Sequence, residues 1–199
     1  MPLTGPAVAA ESARQRFERL CLPHLDAAYN LARWLTRNEH DAQDVVQDAY
    51  LRAFRYFEGF RGDEGRAWLL TIVRHTCYSW LQKNRPAEID SGFDGDSAAG
   101  ERAGFDPDMM AAEGGNPEAI ALQNAHRRIL NQAIAALPLG FREVLILREL
   151  EDLSYKEIAR VVDAPVGTVM SRLARARTLL RQSAPLRAMS GLPAAEVKQ

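Results

Sequence analysis

The segment LSYKEIARVVDAPVGTVMSRLARAR, residues 153–177, reads as two helices and the turn between them. Ser154 followed three residues later by Glu157 is a capping box, in which hydroxyl and carboxylate satisfy the free N–H groups of a helix start. The spacing predicts a short helix from about Tyr155, with Ile158, Ala159 and Val162 as a narrow apolar face; the small Ala159 lets a second helix approach closely. Asp163, Ala164 and Pro165 then make a turn, and a proline in the first turn of the next helix loses no needed hydrogen bond. In that helix Val166, Val169, Leu173, Ala176 and Leu180 recur at steps of three and four as one apolar stripe. Thr168, Ser171, Arg172 and Arg175 gather on another face, and residues 165–177 hold no acid. Hydroxyls and guanidinium groups at this spacing reach phosphates and base edges in a major groove. A solvated basic face is the plainer reading of such a helix alone, but a capped helix and tight turn before it make a helix-turn-helix with the basic helix in the recognition position.

Upstream, the first half of the chain reads as entirely helical. Phe17, Leu20, Cys21 and Leu25, then Ala28, Leu31, Ala32 and Leu35, fall at helical spacing, with Pro23 marking a break or fresh start. In NEHDAQDVVQDAYLRAFRYF, Ala42, Val46, Ala49 and Ala53 face inward, while Asp44, Gln47, Asp48, Leu51 and Arg55 share an outward face. A leucine exposed among carboxylates suggests a partner surface. The loop that follows carries Gly59, Gly62 and Gly65 and leads to WLLTIVRHTCYSWLQKNR. There Leu69, Ile72, Val73, Thr76, Cys77 and Trp80 form the expected buried side, and Arg74, His75, Tyr78, Lys83 and Arg85 are left for the surface. Basic side chains interleaved with aromatics suit unstacked bases, where rings stack and cations hold phosphates. Trp68 and Trp80 are expected in the core.

Charge is strongly segregated along the 199 residues, although the net is only −1. Residues 86–118 hold nine acids and a single arginine, Arg102, in a Gly-, Ser-, Ala- and Pro-rich segment without apolar periodicity. It reads as an acidic linker between two helical domains. The expected division is a first domain over residues 1–86, the linker over 87–118, a second domain over 119–187 and a tail over 188–199.

No apolar run reaches the length of a membrane span, and MPLTGPAVAAE lacks a basic start and a long apolar core, so membrane insertion and export are not expected and the cytoplasm is. Cys21 and Cys77 lie in apolar helical patterns and read as buried reduced thiols. His24, His40, His75 and His126 show no ligand spacing, so neither a metal nor a cofactor is expected.

These motifs, DAQDVVQDAYLRAF, the glycine-containing loop, WLLTIVRHTCYSWLQKNR and ALPLGFREVLILRELEDLSYKEIARVVDAPVGTVMSRLARAR, stand in an order that resembles the bacterial RNA polymerase sigma factors of the extracytoplasmic-function (ECF) group of the sigma-70 family. The resemblance covers roughly residues 10–86 and 119–183. It implies an all-α fold of two small helical domains, region 2 and region 4, joined by the linker. It implies a non-enzymatic protein that binds core polymerase, directs it to promoters and helps open them. Asp44, Gln47, Asp48 and Leu51 match the helix that meets the β′ clamp, and region 4 is expected at the β flap. Phe60 to Trp68, with Arg61 and Arg66, match the loop that captures a flipped −10 base, and Arg74, His75 and Tyr78 the helix beside it. Thr168, Ser171, Arg172 and Arg175 match the helix that reads the −35 element. An anti-sigma factor is the further partner implied. Many relatives have asparagine in place of His75, a basic residue in place of Met170 and a bulkier side chain in place of Ala174, so promoter sequence does not transfer from a relative.

Two other classes compete. A helix-turn-helix regulator acting without core polymerase should have a ligand pocket or phosphate receiver in its first half, and neither pattern is present. A nucleic-acid enzyme needs clustered carboxylates or a nucleophile with its base, and the acids of 86–118 sit in a segment too irregular to set a metal geometry.

Overall fold

The computed structural model describes residues 12–90, 117–183 and 186–187. Most of the acidic linker, residues 91–116, and the expected tail, 188–199, lie outside the described residues. Those described form nine α-helices and two 3₁₀ turns, with no strand among them.

Local sequence sets where each helix of the first half begins. Helix α1, Ala13–Cys21, starts at a second capping box: Gln15 N–H donates to the Ser12 hydroxyl at 3.2 Å, and the Ser12 N–H donates to the Gln15 side chain at 3.0 Å. Pro23 lies in a single 3₁₀ turn, Leu22–His24, which redirects the chain into α2, Leu25–Thr36. Tyr50 braces this break by donating its hydroxyl to the Cys21 carbonyl at 2.9 Å. Leu25 itself is exposed, because the break rotates it off the apolar stripe on which the spacing put it. Asn38 caps α3, Glu39–Tyr56, and the acids Glu39 and Asp41 complement the positive end of that helix. A second 3₁₀ turn, Phe57–Gly59, leads through the glycine loop to α4, Gly65–Asn84, and the short α5, Pro86–Asp90. Gly65 has no substitute: a Cβ there would strike the Leu20 carbonyl of α1.

The second half contains α6, Pro117–Ala135, α7, Leu139–Glu149, α8, Tyr155–Val162, and α9, Val166–Gln182. The Ser154–Glu157 box caps α8 as the sequence indicates, and Asp163 ends it in the left-handed conformation at φ 49°. Pro165 stands one residue ahead of α9 and accepts from Thr168 N–H at 2.9 Å. Ile158, Val161 and Val162 are the buried face of α8, with Ala159 only half-buried; Val166 lies outside the buried stripe of α9, which is Val169, Leu173 and Ala176. A residue in the first turn projects beyond the partner helix, so the stripe loses its first member.

Helices α2, α3 and α4 pack on one another with α1 across the start of α4, and α7, α8 and α9 form the second bundle. The bundles also touch directly, α2 against α7 and α4 against α8. Their interiors join into one apolar cluster that includes Leu31, Leu35, Leu69 and Leu70 on one side and Ile146, Leu147, Ile158 and Leu173 on the other. Each such side chain contributes about 1.5–3 kcal/mol on leaving water.

Candidate nucleic-acid interface

Helix α3 divides cleanly. Ala42, Val45, Val46, Ala49 and Ala53 are buried, while Asp44, Gln47 and Asp48 are exposed and Leu51 is 54% exposed. Asp48 pairs with Arg52 at 2.8 Å. Phe54, 53% exposed and three residues after Leu51, extends this face; the spacing carried the signal, since it continues the step from Gln47 through Leu51.

The glycine loop folds around an aromatic group. Phe57 is buried, and its ring meets Phe60 and Trp68, each at 5.9 Å, while Phe60 and Trp68 stack at 4.6 Å with their planes 31° apart. Trp68 is half-buried rather than in the core, and so is Trp80, which has the Arg85 guanidinium 5.3 Å from its ring centre. A cavity of about 590 Å³ opens beside the loop, lined by Phe60, Gly62, Ala67, Trp68 and Thr71 together with the acids Asp63 and Glu64, and with Arg160 of α8, paired to Glu64, at its edge. Arg61 is exposed. Arg66 reaches the other way and pairs with Glu151 at 2.9 Å.

Helix α4 departs from expectation in a specific way. His75 is exposed as expected, but Arg74 and Tyr78 are covered by the second half of the molecule. Arg74 Nε donates to Glu143 at 2.6 Å, the Tyr78 hydroxyl donates to the other oxygen of Glu143 at 3.2 Å, and the Arg74 guanidinium lies 4.4 Å from the Tyr78 ring centre. Glu143 is 0% exposed. Burial pushes its carboxyl up, against the opposing pull of Arg74 and Tyr78. Burial and then the Glu143 charge raise the Tyr78 phenol. Arg85 is likewise held, by the Thr36 carbonyl at 2.8 Å and by Asp41 at 3.3 Å. None of these partners is within helical reach of α4, so spacing alone assigned the side chains to solvent. Glu143 and Glu151 were themselves missed, although a carboxylate inside FREVLIL, among Leu139, Ile146 and Leu147, is a signal of a buried charge with a distant partner.

On α9, Ser171 and Arg175 are exposed and Thr168 and Arg172 half-buried. The Ser171 hydroxyl donates to the Thr168 carbonyl at 3.0 Å. Arg172 lies within electrostatic reach of Glu143, whose carboxyl it helps to hold down against burial. Met170, 53% exposed, adds an apolar element beside them. Cys21 and Cys77 are buried free thiols. Among the described residues no His, Cys, Asp or Glu cluster could hold a metal ion, and no helix is long and apolar enough to cross a membrane.

Two helical bundles, one ending in a capped helix-turn-helix and the other carrying an aromatic cavity with Arg160 at its edge, have the build of a DNA-binding protein. The family model for Sigma-70 region 2 matches residues 20–86, and that for Sigma-70, region 4 matches residues 127–180. The chain is 40% identical over 140 residues to the ECF RNA polymerase sigma-E factor of Escherichia coli K12, covering 69% of this chain and 70% of that one. It is 36% identical over 153 residues to the sigma-E factor of Haemophilus influenzae, covering 75% and 77%. Among solved structures, the sigma factor RpoE bound to the anti-sigma factor NepR, from Bartonella quintana, superimposes with a TM-score of 0.63 at 28% identity over 86% of this chain and 96% of that one. CnrH bound to the cytosolic domain of CnrY gives 0.58 at 26% identity, over 88% and 95%. The chain belongs to the ECF group of RNA polymerase sigma factors, in the sigma-70 family. It is thus a transcription initiation factor, and the reading as a regulator independent of polymerase is not favoured.

Proposed function

We propose that this sigma factor acts in the cytoplasm, without a catalytic step of its own, by joining core polymerase to promoters through three surfaces. Asp44, Gln47, Asp48 and Leu51 meet the β′ clamp. Phe60, Arg61, Arg66, Arg74, His75 and Tyr78 hold the −10 strand, and Thr168, Ser171, Arg172 and Arg175 read the −35 duplex while their bundle meets the β flap. Residues 1–86 and 119–187 are then the two working domains and 87–118 the tether between them. The observation that carries the reading is the cavity between the Phe60–Trp68 stack and Arg160, which has the size and aromatic wall to take an unstacked base. An anti-sigma partner is supported by the solved relative RpoE, captured with the anti-sigma factor NepR.

Run-off transcription with purified core polymerase on a genomic library tests this. The expected result is a set of starts sharing −10 and −35 elements, and tight binding of duplex promoter only when core is present. Specific binding by the chain alone, with no start above core background, would overturn it.

A further inference from the structure

Two buried carboxylates of the second bundle face two arginines of the first. Glu143, on α7, is 0% exposed and takes Arg74 and the Tyr78 hydroxyl; Glu151, just beyond α7, is 4% exposed and takes Arg66 Nη2 at 2.9 Å and Asn30 Nδ2 at 3.2 Å. Each carboxylate is therefore bound as a strand phosphate would be, by one guanidinium and one neutral donor. Arg66 and Arg74 are eight residues apart on α4, which places them on one face about two turns from each other. At the cavity edge Arg160 pairs with Glu64 at 2.6 Å, linking the bundles a third time.

We propose that Glu143 and Glu151 are an intramolecular latch that occupies the same two arginines that hold the −10 strand. This rests on the reading of Arg66 and Arg74 as −10 contacts. The free factor is then closed, and engaging the strand requires the bundles to part. The two carboxylates add a releasable charged element to the apolar contact between the bundles: buried ion pairs add little to stability over a hydrophobic pair, but once separated both ions regain hydration. Neutralising only the carboxylates leaves Arg66 and Arg74 without compensating charge in the closed state, which drives opening.

The test uses the full chain. Small-angle scattering reads closure, and binding of a mixed-sequence 20-nucleotide single-stranded DNA reads the freed arginines. The double variant E143Q/E151Q is expected to raise the radius of gyration and to bind the oligonucleotide at least about tenfold more tightly, since apparent affinity scales with the competent fraction. Its control, E149Q/D152N, removes the same charge from exposed positions of the same bundle and should leave the radius unchanged. Asn30→Asp sets a carboxylate against Glu151 from the other side without altering any buried residue. It is expected to open the molecule and tighten DNA binding although it adds negative charge. An unchanged radius in both opening variants would overturn the latch and leave the −10 reading untouched. Opening without any gain in DNA binding would overturn the assignment of Arg66 and Arg74 to the strand, and the latch as a competitor with it.

Discussion

Arg16 donates from Nη2 to the carbonyl oxygen of Gly62 at 2.9 Å, so the first helix carries the middle of the glycine loop. The same guanidinium reaches the Phe60 carbonyl at 3.1 Å and lies 5.2 Å from the Phe57 ring centre. Arg16→Ala removes a charged donor from two backbone acceptors and is expected to lower stability by about 1–3 kcal/mol. Transcription should fall by more than core binding does, because the cavity wall loosens while α3 is untouched. Denaturant unfolding beside run-off yield checks both; an unaltered run-off yield would separate the loop from promoter opening.

Reversing charge at Asp44 and Asp48 should abolish capture of core polymerase with helicity intact. Both positions are exposed and the Asp48–Arg52 pair is a surface one, so the change in stability should stay within about 0.5 kcal/mol. Circular dichroism beside pull-down decides between a partner surface and a structural face: lost helicity would make it the latter.

Arg175 is the exposed arginine of the α9 face. Arg175→Ala should cost about 1–3 kcal/mol at one promoter position if the contact is to a base, or weaken all promoters and lower the salt slope by about one if it is to phosphate. Equal transcription from −35-dependent promoters in variant and parent would remove Arg175 from the interface. Arg172→Ala should act additionally on the free protein, since that side chain lies near Glu143.

The thiols give a pH signature. Burial pushes Cys21 up to about 11 and raises Cys77 further, so both are protonated at neutral pH. A folded-state value above the unfolded one, about 8.5, contributes stability that is complete below that unfolded value and lost as pH rises toward 11. Iodoacetamide should therefore label the native protein slowly and the denatured protein fast at pH 8, and unfolding free energy should fall between about pH 8.5 and 11. Rapid native labelling at pH 8 would contradict the burial.

What could be read from the sequence was local. The Ser154–Glu157 box, the two faces of α3 and the break at Pro23 all depend on residues within a turn or two, and the structure has each of them. The equivalent Ser12–Gln15 box was legible by the same rule and went unread. Arg74 and Tyr78 were not legible, because their burial comes from Glu143 on another bundle, and helical period records which face turns away from its own neighbours, not what later covers it. Val161 escaped for a lesser reason: in a helix of eight residues the apolar face is too short for its width to be read.

The apolar cluster that runs unbroken from Leu31 and Leu69 into Ile146 and Leu173 has a calorimetric consequence. Bundles that share an interior melt together, so the parent protein should give one heat-absorption peak whose van't Hoff and calorimetric enthalpies agree. Parting the bundles cuts that shared interior and exposes apolar surface on each. E143Q/E151Q should then show two peaks of smaller enthalpy, the fingerprint of two cooperative units where there had been one.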